Sequence, residues 1–361
     1  MTKAEFIDRS VTMMLGGVAG PLAQSEAGLL RALRGSSGVS VAHVPGQDDP
    51  VAYDANEKTL TPVQLSQILN DPKTRGALQQ IRASGADFGF VVDMQDRRLR
   101  DVAEKGAPPY PVFCFNRHKD DTNRLLWPLP IYHDLDGDQF LADVRPDQVP
   151  WVEKEPRVVW RGITGGRAEG DGAGSGEGMR LKAALRRYRR GKLSEDDLRA
   201  VAESTPRHRT VSAVANDPRF DLGFVDGSGY VIAKTPFHAH LEKPRMPREE
   251  MQRYKYIAVL RGLDVGSSFY WVMNSGSVGF VMDTPFETFA SGHFRPWEHY
   301  IPFREDASDL AERFDWAEAH PAECKAMTER AAEICTLLAR ADLRDKILRE
   351  VIARLNAMER V

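Results

Sequence analysis

A chain of 361 residues exceeds what one hydrophobic core ordinarily fills, which predicts two domains. Apolar residues at 42% and charged residues at 28% are the composition of a soluble globular protein, and a formal net charge of -3 excludes the basic field that nucleic-acid binders carry. The 3 cysteines, Cys114, Cys324 and Cys335, form no C-x-x-C pair, which argues against a disulfide framework or a zinc site and fits a reducing compartment.

In chain order, Val11 to Leu22 is a short apolar stretch broken by glycine and proline, so it reads as a helix and a turn and not as a signal peptide or membrane span. Val39 to Val44 reads as a strand. Thr61-Pro62-Val63-Gln64 combines an N-cap, a first-turn proline and a capping-box glutamine, and predicts a helix start. Another helix is expected from Asp71-Pro72 to Gly85. Phe88 to Val92 and Pro111 to Phe115 are compact apolar strands, the first ending at Asp93. Prolines and acids gather between Pro146 and Pro156, the expected interdomain linker.

Beyond the linker the alternation restarts. A strand is expected at Arg157 to Arg161, then helices from about Gly178 to Arg190 and from Ser194, then a strand at Thr210 to Ala215. A helix from Pro247, a strand at Tyr256 to Leu260, a helix near Ser267 to Met273 and a strand at Val278 to Met282 follow. From Ser308 the chain reads as helical, with a restart at Pro321. Short β-rich runs alternating with helices predict α/β layers. The expected domains are 1–150 and 151–340, with a C-terminal helix of about 341–361. In that helix Leu343, Ile347, Val351, Ile352 and Leu355 recur at helical spacing and need a partner surface.

Several residues invite a chemical reading beside a plain one. Asp93 ends an apolar strand, where α/β folds place functional groups, though a strand-end aspartate also caps turns; Asp96, three residues on, is its rival. Arg161 ends the next domain's first strand and is followed by Gly162 and Thr164. A guanidinium, a glycine and a hydroxyl there suit a phosphate; the alternative is an arginine paired with a carboxylate. Gly262, Gly266, Ser267 and Ser268 lie between a strand and a helix, a turn that either receives an anion on backbone N–H groups or is simply capped by serine. Asp264 within it either bonds donor hydroxyls or caps the helix. Trp127 offers a face for a sugar, or packs beside Pro128.

Other features read more plainly. The glycines from Gly165 to Gly178 form no P-loop and read as a surface loop or a mobile lid. His238-Ala239-His240 lacks a third ligand. Asp134, Asp136 and Asp138 are followed by Gln139 where a calcium loop needs glycine, and by Arg145 where it needs glutamate. Neither set is read as a metal site. Arg186 to Lys192 is a basic cluster that either solvates a helix end or meets anionic lipid.

The stretch from Tyr254 to Phe303, YKYIAVLRGLDVGSSFYWVMNSGSVGFVMDTPFETFASGHFRPWEHYIPF, resembles the signature of glycosyltransferase family 90. That family takes in fungal capsule-associated proteins, animal protein O-glucosyl- and O-xylosyltransferases and bacterial lipopolysaccharide-type enzymes. Asp306-Ala307-Ser308-Asp309-Leu310 and Val159-Trp160-Arg161-Gly162-Ile163-Thr164-Gly165 extend the resemblance, and Phe90 to Asp93, Pro111 to Phe115 and Trp127-Pro128 are similar to its acceptor-side domain. The resemblance implies a GT-B fold: two Rossmann-like domains facing a cleft, with a C-terminal helix returning to the N-terminal domain. It also implies an inverting transfer of glucose or xylose from a UDP-sugar, with no obligatory metal, to a hydroxyl of a surface glycan, a lipopolysaccharide or a lipid-linked acceptor.

By the same resemblance Asp93 matches the family's catalytic aspartate, and Glu287 falls where GT-B enzymes hold ribose hydroxyls. The chain departs from the pattern at Ser268, where the animal branch has arginine, and at Leu263 and Tyr270, where the bacterial branch has asparagine and lysine. It lacks the animal branch's signals, so a cytoplasmic place is expected, peripheral at the inner membrane through Arg186 to Lys192. Two other readings are a catalytically degenerate nucleotide-sugar or glycan-binding protein of the same fold, and a glycoside hydrolase, for which no second carboxylate opposite Asp93 stands out.

Overall fold

The computed structural model describes residues 1–36, 39–64, 72–96, 108–129, 147, 149–170, 178–225 and 238–361. Asp134, Asp136 and Asp138, and residues 171–177 of the glycine-rich run, lie outside them. Contacts divide the chain into two units: Met1–Ala142, Pro285–His293 and Cys335–Val361 form the first, Asp143–Thr284 and Phe294–Ile334 the second.

The first unit opens on helix α1 (Lys3–Leu15), held by a capping box in which Thr2 accepts from the Glu5 N–H and Glu5 from the Thr2 N–H. Helix α2 (Glu26–Arg34) follows, capped by Ser25. Strands β1 (Val41–His43), β2 (Val51–Asp54) and β3 (Thr59–Pro62) form an antiparallel meander with β1 paired to β2 and β2 to β3. The helix expected to start at Thr61 is therefore the end of a strand. The hairpin turn wins because Asp54 accepts from the N–H groups of Asn56 and Glu57, and Pro62 is tolerated on an edge strand opposite Val51.

Helix α3 (Pro72–Ala83) and strands β4 (Phe90–Val92), β5 (Val112–Cys114), β6 (Asn116–His118) and β7 (Arg124–Leu126) complete this stretch. The sheet order is β3-β2-β1-β4-β5-β7, antiparallel as far as β4 and parallel from β4 through β7. The Rossmann-like sheet expected here is thus only half parallel. Its core joins Phe88, Phe90, Phe113 and Trp127 edge to edge on one face and Leu29, Leu33, Val91 and Val112 on the other.

The first strand of the second unit is β8 (Glu155–Gly162), which starts at the end of the expected linker. Helices α4 (Leu181–Arg189), α5 (Glu195–Glu203) and α6 (Pro206–Ala213) lead to β9 (Phe220–Phe224). The strand expected at Thr210 to Ala215 is a correction: that β-branched run lies mostly within α6, where Pro206 starts the helix and the Thr210 hydroxyl donates to the Pro206 carbonyl. Helix α7 (Arg248–Met251), strand β10 (Tyr254–Val259), helix α8 (Phe269–Met273) and strand β11 (Val278–Met282) follow. Strand β12 (Phe286–Thr288) belongs to the first unit and pairs antiparallel with β6. Strand β13 (Ile301–Phe303) and helices α9 (Leu310–Ala319) and α10 (Pro321–Ala339) come next. Helix α11 (Ala341–Asn356) packs on α1 in the first unit, with Leu343, Ile347, Val351, Ile352 and Leu355 all buried.

The second unit's sheet is parallel throughout, in the order β13-β11-β10-β8-β9. Its strands are buried on both faces, so they read as continuous apolar runs. Val158, Trp160, Tyr256, Ala258, Phe280 and Met282 share one face with Val211 of α6 and Phe314 of α9. Helix α8 covers the other face, where Gly279 admits Met273: a Cβ there would lie 2.5 Å from the Met273 Cε.

Candidate functional site

The strand order locates the place to look. In chain sequence the second sheet runs 5-4-3-1-2: from β8 the chain steps out to β9, then crosses back to β10 on β8's other side and continues outward. Loops leaving the carboxyl ends of β8 and β10 therefore diverge, and in open α/β sheets the crevice at such a switch point is where ligands bind. The residues at these ends are Arg161 to Gly166 after β8 and Arg261 to Ser268 after β10. Two glycines bring the loops together. Gly166, at φ +120, would place a Cβ 2.6 Å from the Thr205 methyl and 3.4 Å from the Gly262 carbonyl oxygen; Gly266 would place one 2.8 Å from Val259 Cγ1.

Arg161 is committed elsewhere. Its Nη2 donates to both carboxylate oxygens of Asp221, at 3.0 and 2.9 Å. Its Nη1 donates to the carbonyls of Trp160 and Asp221, and its Nε to that of Pro244. Burial would raise the Asp221 carboxyl, yet the hydrogen bonds and charges of Arg161 and Lys243 hold it below the ordinary range. The phosphate-facing guanidinium expected at this position is thus the centre of a buried ion pair joining β8 to β9. Gly162 is needed for packing and not for ligand approach: a Cβ would meet the Trp160 ring at 2.3 Å. The hydroxyl of Thr164 is half-buried and makes no hydrogen bond among the described residues.

At the end of β10, Arg261 is 3% exposed and pairs through Nη2 with Glu169, which follows the β8 loop, and with Glu305, which follows β13. Burial raises the Glu305 carboxyl against the pull of Arg261, and Glu169 beside it adds to the rise. Asp264 is buried and its Oδ1 accepts from the Val265 N–H at 2.6 Å. Ser268 is the N-cap of α8 but makes no side-chain cap, and Ser267 is exposed. Helix α8 has only 5 residues, so its dipole adds little to anion binding. Tyr270 is buried in that helix.

Arg207, near the start of α6, reaches this crevice from a third element. Its Nη1 donates to the carbonyl of Ile163 after β8 at 2.9 Å, and its Nη2 to that of Leu260 after β10 at 3.0 Å. The guanidinium lies over the Trp160 ring, 5.4 Å from its centroid.

The remaining expected residues lie in the first unit. Asp93, 4% exposed, follows β4; its N–H donates to the Phe113 carbonyl and its Oδ1 accepts from the Gln95 N–H at 3.4 Å. Asp96 is exposed and 3.5 Å from Lys73. Trp127 is a correction: it is 0% exposed, sits edge-on to Phe113 and donates its Nε1 proton to Gln80, so it has no face for a sugar. Glu287, on β12, takes a 2.7 Å bond from the Nε of buried Arg117, whose Nη1 donates to the Met14 and Arg124 carbonyls. Its counter-ion role accounts for its placement there.

The basic run at the end of α4 is solvated, and Gly191 at φ +64 closes the helix with Lys192 N–H donating to the Arg187 carbonyl. His208 and His238 are buried with ring centroids 4.2 Å apart, and His240 is exposed; among the described residues no group of three or more metal-binding side chains forms. No described helix is long and apolar enough to cross a membrane. The sequence reading missed Arg207, Arg261, Glu169, Glu305 and Asp221. One signal was available: Arg261-Gly262 repeats, at the end of the adjacent strand, the Arg161-Gly162 pair.

Comparison with known proteins bears on the same region. The profile of glycosyl transferase family 90 matches residues 232–345. O-glucosyltransferase LpsA of Dichelobacter nodosus is 27% identical over 154 residues, 42% of this chain and 46% of the relative. Protein O-glucosyltransferase 2 of Danio rerio is 36% identical over 73 residues, 20% of this chain and 15% of the relative. Uncharacterized protein 027R of Frog virus 3 is 27% identical over 203 residues, 55% of this chain and 19% of the relative. The matched stretch spans less than half the length of each of these relatives. The profile match and these relatives together support a glycosyltransferase of the family 90 type.

Proposed function

We propose that this protein transfers a sugar, glucose or xylose, from a UDP-sugar to an acceptor hydroxyl with inversion, without a metal. The observation that carries the reading is positional. Residues 232–345, matched by the family 90 profile, supply β10, the Gly262 to Ser268 turn and β11, which form one side of the switch-point crevice of a parallel sheet. Thr164, Ser267 and Ser268 offer hydroxyls to a donor's phosphates there, and Asp264 is the acid within the turn. The proposed donor-binding unit is of the kind found in GT-B enzymes. Two of the relatives bear the name O-glucosyltransferase, which favours glucose. The proposed acceptor is a surface glycan, lipopolysaccharide or lipid-linked glycan, reached at the cytoplasmic face of a membrane with Arg186 to Lys192 toward anionic lipid.

In the proposed reaction Asp93 accepts the proton of the acceptor hydroxyl as its oxygen attacks the anomeric carbon. The bond from that carbon to the phosphate oxygen breaks, UDP leaves, and the configuration inverts. Incubating the purified protein with a panel of nucleotide sugars tests the reading. Release of UDP from UDP-glucose or UDP-xylose, with other donors inert, supports it; no binding and no release with any donor removes it. A catalytically degenerate binding protein is the second reading, favoured by the commitment of Arg161 to Asp221 and by Ser268 and Tyr270 in place of cations. Donor binding without release, across acceptors, would establish that alternative.

A further inference from the structure

Two carboxylates meet a single guanidinium at the carboxyl end of the second sheet, and their charges do not balance. Nη2 of buried Arg261, after β10, donates to Oε2 of Glu169, which follows the β8 loop, and at 2.6 Å to Oε1 of Glu305, just after β13. Two acceptors on one nitrogen bring their oxygens within a few ångströms of each other. Carboxylates that close do not both ionise freely, and one proton comes to be held by the pair. Burial raises Glu305 above the ordinary carboxylate range; Arg261 opposes this, and the hydrogen bond and charge of Glu169 add to the rise.

The sheet gives the cluster a mechanical role. Strand β10 is the middle strand, with β8 on one side and β11 and then β13 on the other. From the centre, Arg261 therefore gathers a loop from one side and a strand end from the other. The Glu169 and Glu305 side chains are 39% and 31% exposed, so solvent protons reach both, while the arginine between them is closed off. Neighbouring charges are engaged elsewhere. Asp306 accepts from the Ser308 N–H at 3.0 Å, and Arg304 and Arg209 act on that aspartate. Glu305 is left facing Arg261 and Glu169.

We propose that Glu169, Arg261 and Glu305 form a proton-operated latch that ties the end of the β8 loop, which borders the switch-point crevice, to the end of β13. With one proton between them, the carboxyls bond each other and the guanidinium, and the latch is closed. When that proton leaves, two anions compete for one Nη2, the more exposed Glu169 turns to water, and the end of the β8 loop is released. The sign follows from Glu305. A carboxyl raised in the fold contributes stability that is full below the ordinary carboxylate range and is lost as pH rises through its own range. The latch thus closes on the acid side and opens as pH rises.

Hydrogen exchange on the full chain, corrected for the intrinsic effect of pH, tests this between about pH 5 and 8. In wild type, peptides covering 163–169 and 304–309 should lose protection about 10-fold as pH rises, while β11 keeps its own. Glu305→Gln replaces the proton by a permanent amide donor. It should hold both peptides protected at every pH, and its melting temperature should rise above that of wild type by about 2–4 °C at the alkaline end only. Glu169→Gln should behave alike, and serves if the first variant does not fold. Wild-type protection that does not change with pH would overturn the proposal. So would a glutamine variant destabilised equally at every pH, which would make the cluster a fixed ion pair. No ligand enters these measurements, so their failure is separate from any failure of the glycosyl-transfer reading.

Discussion

Arg161→Ala separates a structural arginine from a ligand-binding one. The substitution removes a bidentate bond to Asp221 and bonds to three backbone carbonyls from a side chain only 6% exposed. Breaking a buried ion pair by deleting one partner costs about 3–5 kcal/mol. Asp221 retains Lys243 at 2.6 Å and the Tyr254 hydroxyl at 3.4 Å, so its charge is not abandoned and the lower end, about 3 kcal/mol, is expected. Urea unfolding reads this as a lower midpoint at unchanged slope. Calorimetry with UDP and uridine on the folded variant should show both affinities moving by the same factor, because no donor of Arg161 is aimed at a ligand. A variant with an unaltered midpoint and a loss confined to UDP would refute the reasoning and restore Arg161 to the phosphate site.

Asp93→Asn should leave donor affinity within about 2-fold while single-turnover transfer falls about 10²–10⁴-fold, the usual contribution of a positioned base; near-normal transfer would shift the role to Asp96. Acid should destabilise the protein through its buried histidines. Desolvation lowers His208 to about 4 and His238 and His293 to about 3, so each stays neutral in the fold while the unfolded chain takes up protons below about 6.5. Their stabilisation is full above pH 6.5 and is lost as pH falls from there toward 4, on the order of 3 kcal/mol for each histidine taken alone. A melting temperature that stays flat between pH 7 and 4.5 would contradict this. Trp127→Ala should cost about 3–5 kcal/mol of stability, and leave Gln80 without its donor, with no change in donor affinity. A loss of sugar-dependent activity at unchanged stability would argue for a binding role.

Much of the fold was legible because the second unit's strands are buried on both faces and announce themselves as apolar runs. Val278 to Met282 was read to the residue. The strand β9 was missed for a physical reason: Phe-Asp-Leu-Gly-Phe carries an acid and a glycine in five residues, and the acid is there to meet Arg161. Thr210 to Ala215 misled in the opposite direction, since β-branched residues satisfy a helix when a hydroxyl can bond the preceding turn. In the first unit the capping signature at Thr61 to Gln64 lost to a hairpin fixed by Asp54, which lies upstream of the motif. Placement was legible where position along the chain decides, as for Asp93 and Gly262 at strand ends, and illegible where charge balance decides. Neither the pairing of Arg161 with Asp221 nor the seat of Arg207 between two loop carbonyls can be read along the chain, because each partner arrives from a different element.

The two Arg-Gly pairs show how far identical dipeptides diverge once the sheet is built. Alternation along β8 puts Trp160 and Arg161 on opposite faces, so Arg161 meets Asp221 on the neighbouring strand while Trp160 offers its ring to Arg207. Gly162 is then fixed by the Trp160 indole, and any larger residue there disturbs the platform under Arg207 before it touches a ligand. At the end of β10, Arg261 is drawn to Glu169 and Glu305, and Gly262 is constrained by Arg207 itself at 3.1 Å. Both glycines are required, one by an aromatic ring and the other by a cation. Substitutions at the first should therefore disturb an aromatic ring, and those at the second the seat of a cation, although the sequence around them reads alike.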